Sequence, residues 1–248
     1  MPIEQLIWLS LAIALIAFLY SSVGHAGASG YIAIMSLAGL EASMFRPIAL
    51  TLNLVVATIA TWQFFRGGHF SWKLTWPFLV LAAPLAFLGG YLQFPVTLLK
   101  VVLGTILLFS AGRFLLPAKD EAETREPPLR LAIGVGAGIA LLAGLTGTGG
   151  GIFLTPLMLW MKWAKTKMAA ATSAMFILIC SAAGLLGNWS NTQQFPSYAI
   201  GLAIAAAVGG TAGSYLGSSR FHQQTIKRIL AVVLIIAGFK LLFALAGK

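Results

Sequence analysis

Ten apolar stretches, at about 5–23, 31–40, 44–65, 72–91, 96–116, 129–145, 152–161, 167–187, 196–217 and 224–246, take up about three quarters of the chain. Eight are long enough to cross a hydrocarbon core that needs about 20 helical residues, given some tilt or trimming. The other two, 31–40 and 152–161, reach only about 15 Å at about 1.5 Å per residue and are predicted to be half-helices or re-entrant legs. Charge is scarce: of 248 residues 59% are hydrophobic and 9% charged, against about 25% charged in soluble domains. So few charges cannot cover a water-soluble domain, and lipid is the expected solvent. The apolar run from Ile3 to Tyr20 has no Lys or Arg before it and one charge, Glu4, so it reads as a retained first helix rather than a signal peptide.

Residues 117–128 read PAKDEAETREPP and hold four of the six acidic residues, a solvated linker between near-equal halves. Shifting the chain by about 120 residues places Gly24, Gly27 and Gly30 on Gly144, Gly147 and Gly150, and Ile32 on Ile152; later the register drifts, with Gly89 and Tyr91 falling on Gly213 and Tyr215. The order of long and short segments also repeats. With a cytoplasmic linker, 12 of the 16 basic residues face inside: Arg66, Lys73, Arg113, Lys119, Arg125, Arg130, Lys162, Lys165, Lys167, Arg220, Lys227 and Arg228. Arg46, Lys100, Lys240 and Lys248 remain outside. The net charge of +10 thus reads as topology and not as a nucleic-acid footprint. The expected fold is an all-α polytopic membrane protein, an inverted repeat of two five-segment halves with about 8 full spans plus 2 short segments. Residues 1–116 form the first repeat, 117–128 the cytoplasmic linker and 129–248 the second repeat, with both termini outside.

Each short segment follows a glycine-rich break: Ser21 to Tyr31 (SSVGHAGASGY) and Gly144 to Gly151 (GLTGTGGG). Glycine permits backbone that leaves N–H groups without helical partners, and such groups at the positive end of a helix dipole form an anion site. Two starts entering from opposite faces are expected to converge on one anion. The expected binding residues are His25, Gly27, Ser29 and Gly30 of the first break and Thr146, Gly147, Thr148, Gly149 and Gly150 of the second. Asn53, Thr172 and Ser173, on the third segments, would complete the anion's hydrogen bonds without adding charge. The blander reading gives these groups close helix packing and interhelical hydrogen bonds. His25, far from any predicted span end, is a candidate for anion donation or proton coupling, against a plain satisfied core histidine. Trp62, Trp72, Trp76 and Trp189 lie near span ends and suit interface anchors.

Other chemistries fit less well. Gly27-Ala28-Ser29-Gly30 matches a GxSG pattern, the motif of an intramembrane serine protease, but the later histidines His69 and His222 fall in predicted loops, and no Asp, Glu or Lys lies deep in a span. No GK[ST] follows either break, so no phosphate loop is present. Cys180 is the only cysteine, which removes disulfides and Cys-based metal sites. No cofactor or metal is expected, and no enzyme activity.

The two breaks, the second written LTGTGGGIFLTPL, the inverted duplication and the chain length together resemble the TauE/SafE family of membrane transporters, also called sulfite exporters or the toluene sulfonate uptake permease family. The resemblance covers nearly the whole chain and is densest at Gly147, Gly149, Gly150, Gly151 and Pro156. The first break departs from it, with Ser29 and Tyr31 where the second half has Gly149 and Gly151, and with His25 added. The resemblance implies transport of sulfite, thiosulfate, sulfoacetate or another organosulfonate across the bacterial inner membrane. The expected partners are that anion, membrane lipid and, as one option, a second copy of the chain in a homodimer. A passive anion channel and a carrier of another small solute are the alternatives.

Overall fold

The computed structural model describes residues 3–40, 42–92, 105, 108, 111–112, 124–189 and 198–246. Most of the expected span 96–116, linker residues 117–123 and loop residues 190–197 lie outside that set. The elements are α1 (Ile3–Ser21), α2 (Ala28–Leu37), α3 (Ala42–Arg66), α4 (Trp72–Leu79), α5 (Ala82–Tyr91), α6 (Leu129–Thr146), α7 (Gly151–Trp160), α8 (Thr166–Trp189), α9 (Tyr198–Tyr215) and α10 (Gln223–Ala246). A π-helical turn, Leu216–Arg220, extends α9. The described residues form helices and connecting turns, with no strand among them.

Six helical segments among the described residues are long and apolar enough to cross a bilayer: Ile3–Ser21, Met44–Arg66, Trp72–Tyr91, Leu129–Thr146, Thr166–Asn188 and Tyr198–Arg220. The short apolar helices Ala28–Leu37 and Gly151–Trp160 stand where half-length segments are expected. The span Trp72–Tyr91 is interrupted at Val80–Leu81, four residues before Pro84, whose missing N–H leaves the Val80 carbonyl without its helical donor. The exterior is apolar, with Leu11, Leu15, Ile200, Ile204 and Val208 exposed, while Ser21, His25, Asn53, Thr155 and Ser173 are buried. This inversion of the soluble pattern is what a chain solvated by lipid requires.

The packing is reciprocal between halves. Helix α1 packs on α9, and its counterpart α6 packs on α5; α2 lies on α3 as α7 lies on α8; α3 meets α9 as α8 meets α5; α3 and α8 pack on each other. Two apolar cores follow. One joins α1, α2 and α3 to α9 of the other half. The second joins α6, α7 and α8 to α4 and α5 of the first half. Directions are readable from paired residues. Leu50 lies by Gly184, Asn53 bonds Ser181, and Phe64 clusters with Ala170, so the counterpart helices α3 and α8 run antiparallel. Ala14, Phe18 and Ser22 meet Gly209, Gly213 and Gly217 in order, so α1 and the α9 segment run parallel.

Candidate functional site

Both short helices open on a glycine that only left-handed backbone can serve. Gly27 caps α2 at φ 107° and ψ 8°, and Gly150 caps α7 at φ 81° and ψ −20°. Three residues before each cap, Gly24 and Gly147 also have positive φ, 78° and 71°. The structural counterparts are therefore 123 residues apart, Gly24 with Gly147 and Gly27 with Gly150, where glycine identity alone suggests a shift of 120. Each break contains more glycines than the turn uses, so identity leaves the register degenerate, and the φ requirement resolves it. By this offset the counterpart of Asn53 is Phe176, and Ser173 answers to Leu50.

The second break leaves its donors open. The backbone N–H groups of Thr148, Gly149, Gly150, Gly151 and Ile152 donate to no acceptor among the described residues. Gly149 through Ile152 are buried, where an unpaired N–H costs about 1–3 kcal/mol. The first break is partly closed: Ala28 donates its N–H to Asn53 Oδ1 at 3.1 Å, and Gly30 and Tyr31 donate to the Gly27 carbonyl.

Side chains from both halves meet around these starts. Asn53 Nδ2 donates to Ser181 Oγ at 3.3 Å. Gly149 sits against this pair so closely that an added Cβ would lie 2.7 Å from Asn53 Nδ2 and 3.1 Å from Ser181 Oγ. About two turns nearer the N-terminus of α8, Ser173 accepts a hydrogen bond from Thr155 Oγ1 at 2.6 Å, and Thr155 lies 2.9 Å from His25 Nε2. Because the Thr155 hydroxyl donates to Ser173, its oxygen accepts from Nε2–H, and the neutral ring then presents a bare lone pair at Nδ1. Nδ1 is buried and has no hydrogen-bond partner among the described residues. The first break thus touches the second short helix through His25, and the second break touches α3 through Gly149.

The remaining expected residues are placed differently. Thr172 Oγ1 pairs with Thr75 Oγ1 at 3.0 Å, away from the Ser173 chain. Ser29 Oγ lies 3.0 Å from the Tyr20 hydroxyl. Thr148 and Thr146 hydroxyls pair at 2.8 Å, and Thr146 donates onward to the Leu142 carbonyl. Gly27 and Gly30 serve close packing: a Cβ on either would press on Tyr31 or Ile16. In the GxSG motif His25 is bonded to Thr155, and Ser29 to Tyr20, so the two do not form a nucleophile–base pair in this arrangement.

Sequence reading misses three participants. Thr155 and Ser181 sit in apolar helices, where one hydroxyl looks like interhelical glue. Arg46 is expected at the outer surface, yet its Nη2 donates to the Gly89 carbonyl at 2.7 Å and to the Gly144 carbonyl, and its stem lies on Gly147. The adjoining Pro47, inside the first turns of α3, is its only local signal.

Interlocked helical halves with an apolar exterior and buried polar groups at two helix breaks are the build of a polytopic membrane transporter. The chain belongs to the TauE/SafE family: the family model described as "Sulfite exporter TauE/SafE" matches residues 9–241. The probable membrane transporter protein y4hK of Sinorhizobium fredii is 38% identical over 244 residues, which cover 96% of this chain and 99% of that protein. No solved structure matches the chain.

Proposed function

We propose that this transporter carries a small sulfur-containing anion, such as sulfite, thiosulfate, sulfoacetate or another organosulfonate, by alternating access of its two halves. The observation that carries the reading is the run of N–H groups from Thr148 to Ile152, at the start of α7, that have no acceptor among the described residues. Fixed amide dipoles at a helix start bind an oxyanion and still release it. Asn53, Ser181, Thr155 and Ser173 surround the run with amide and hydroxyl groups, and no carboxylate opposes the anion among the described buried polar residues. The halves are an inverted repeat in a bacterial inner membrane, with residues 117–128 cytoplasmic and both termini outside. The moving boundary is the α3–α8 contact, where counterpart helices cross.

Proton coupling belongs to His25. Protonation at Nδ1 turns a bare acceptor into a charged donor, so proton and anion favour each other's binding. Purified protein in liposomes, loaded with each labelled anion and assayed with and without a pH gradient, tests the whole reading. Saturable counterflow of a sulfur oxyanion is the expected result. Flux at ion-channel rates without counterflow would make the protein a channel, and no exchange of any sulfur anion would remove the substrate assignment.

A further inference from the structure

Arg46 is a partly buried cation that pairs with no carboxylate among the described residues. Its Nη2 hydrogen bonds go to neutral carbonyls, those of Gly89 on α5 and Gly144 on α6. The described residues contain one salt bridge, Lys73 with Glu126, both 77% exposed and elsewhere in the fold. The Arg46 Nε is buried and has no hydrogen-bond partner among the described residues. The guanidinium is partly withdrawn from water, and the two carbonyls give it a fixed seat.

The seat adjoins the open amides. Arg46 Cγ would lie 2.8 Å, and Cδ 3.7 Å, from a Cβ placed on Gly147. The next residue, Thr148, begins the run of N–H groups without acceptors. The unpartnered Nε–H is thus a further donor beside that run, and the guanidinium sets a fixed positive charge there.

The counterpart place in the other half is built without charge. Exchanging the halves takes Gly147 to Gly24, and the residue pressed on Gly24 as Arg46 is pressed on Gly147 is Ala170, whose backbone a Cβ on Gly24 would overlap. The exchange also takes Gly89 and Gly144 to Gly213 and Ser21, which touch each other directly, a Cβ on Gly213 overlapping Ser21 Oγ. Small residues close that side, whereas the guanidinium fills this one. Packing alone would have been satisfied by small residues in both places.

We propose that Arg46 is the fixed counter-charge for the transported anion and sets the preference for an anion over an uncharged solute of the same shape. The inference rests on the second break being the anion site. The Gly89 and Gly144 carbonyls orient the guanidinium without neutralising it, which leaves Nε–H and the positive charge for the ligand. Because those carbonyls belong to α5 and α6 while Arg46 belongs to α3, relative movement of these helices also moves the charge.

The experiment compares wild type, Arg46→Gln and Arg46→Lys in proteoliposomes by counterflow of labelled methanesulfonate, sulfite and acetate. Competition by chloride and by neutral dimethyl sulfone, the uncharged isostere of methanesulfonate, is measured alongside the unfolding temperature of each protein. Arg46→Gln should raise the half-saturating anion concentration by about tenfold or more, the loss expected for a hydrogen bond to a charged group, while sulfone competition stays within about twofold. Arg46→Lys should keep most of the anion preference. Wild-type anion affinity in Arg46→Gln, or an equal loss for anion and sulfone with a lowered unfolding temperature, would overturn the inference and leave a structural latch. A wild type that exchanges acetate but neither sulfur anion removes the sulfur substrate alone, and the Arg46 comparison is then decided on acetate. A wild type that exchanges none of these anions overturns both.

Discussion

Asn53 joins both halves through one amide. Its Oδ1 accepts from the first amide of α2, and its Nδ2 donates to Ser181 on α8. Truncation in Asn53→Ala should cost about 1–3 kcal/mol, because a buried N–H and a hydroxyl lose their partners together; detergent-solubilised thermal unfolding measures it. Asn53→Asp keeps the acceptor for Ala28 but sets a negative charge beside Gly149. Exchange should then fall to background while the protein remains folded, which size-exclusion profiles and counterflow report together. His25→Gln removes the titratable Nδ1 and should slow uptake driven by a pH gradient while leaving equilibrium exchange close to wild type; equal loss of both would end the coupling role. His25 and Asn53 are legible in the sequence because a polar residue within a long apolar run is conspicuous. Arg46 is not, since a basic residue at the edge of an apolar run reads as a loop charge, and only the fold shows its stem lying inward on Gly147.

At the level of helices, the glycines divide by what they face. Gly209, Gly213 and Gly217 recur every four residues and press on the backbone of Ala14, Phe18 and Ser22, so a Cβ on any of them would overlap a carbonyl. Gly213→Val should therefore abolish folded yield, a cost beyond the roughly 1–3 kcal/mol of ordinary overpacking. Gly134 and Gly138 on α6 would have nothing within 4 Å of an added Cβ. Alanine at either should raise helix stability by about 0.5–1 kcal/mol, checked by the unfolding temperature. This division is invisible in the sequence, where all five are glycines in apolar helices. Helix positions are legible: the stretch 129–145 is α6, Leu129–Thr146, and the short segment 152–161 is α7, Gly151–Trp160. The first short segment reads as 31–40, while α2 is Ala28–Leu37, because its opening residues Ala28, Ser29 and Gly30 lack the bulk that marks an apolar run.

The molecule as a whole is held by exchange between its halves, and its sidedness follows from the antiparallel α3 and α8. Single cysteines at the exposed positions Gly39 and Lys165 should be labelled by a membrane-impermeant thiol reagent from opposite faces of sealed vesicles, with the buried Cys180 contributing little background. Labelling from the same face would rule out the inverted arrangement. The reciprocal pairing of α1 with α9 and of α6 with α5 also has a consequence for biosynthesis. A ribosome that has finished the first half has made α1 but must add nearly a hundred more residues before α9 exists to receive it. Until then Ser21, which bonds the Gly210 carbonyl in the finished protein, lacks that partner and has only the Phe18 carbonyl of its own helix to turn to. The nascent chain is therefore expected to depend on its hosts until late in translation, and a product truncated at the linker should be cleared by membrane proteases faster than the full chain.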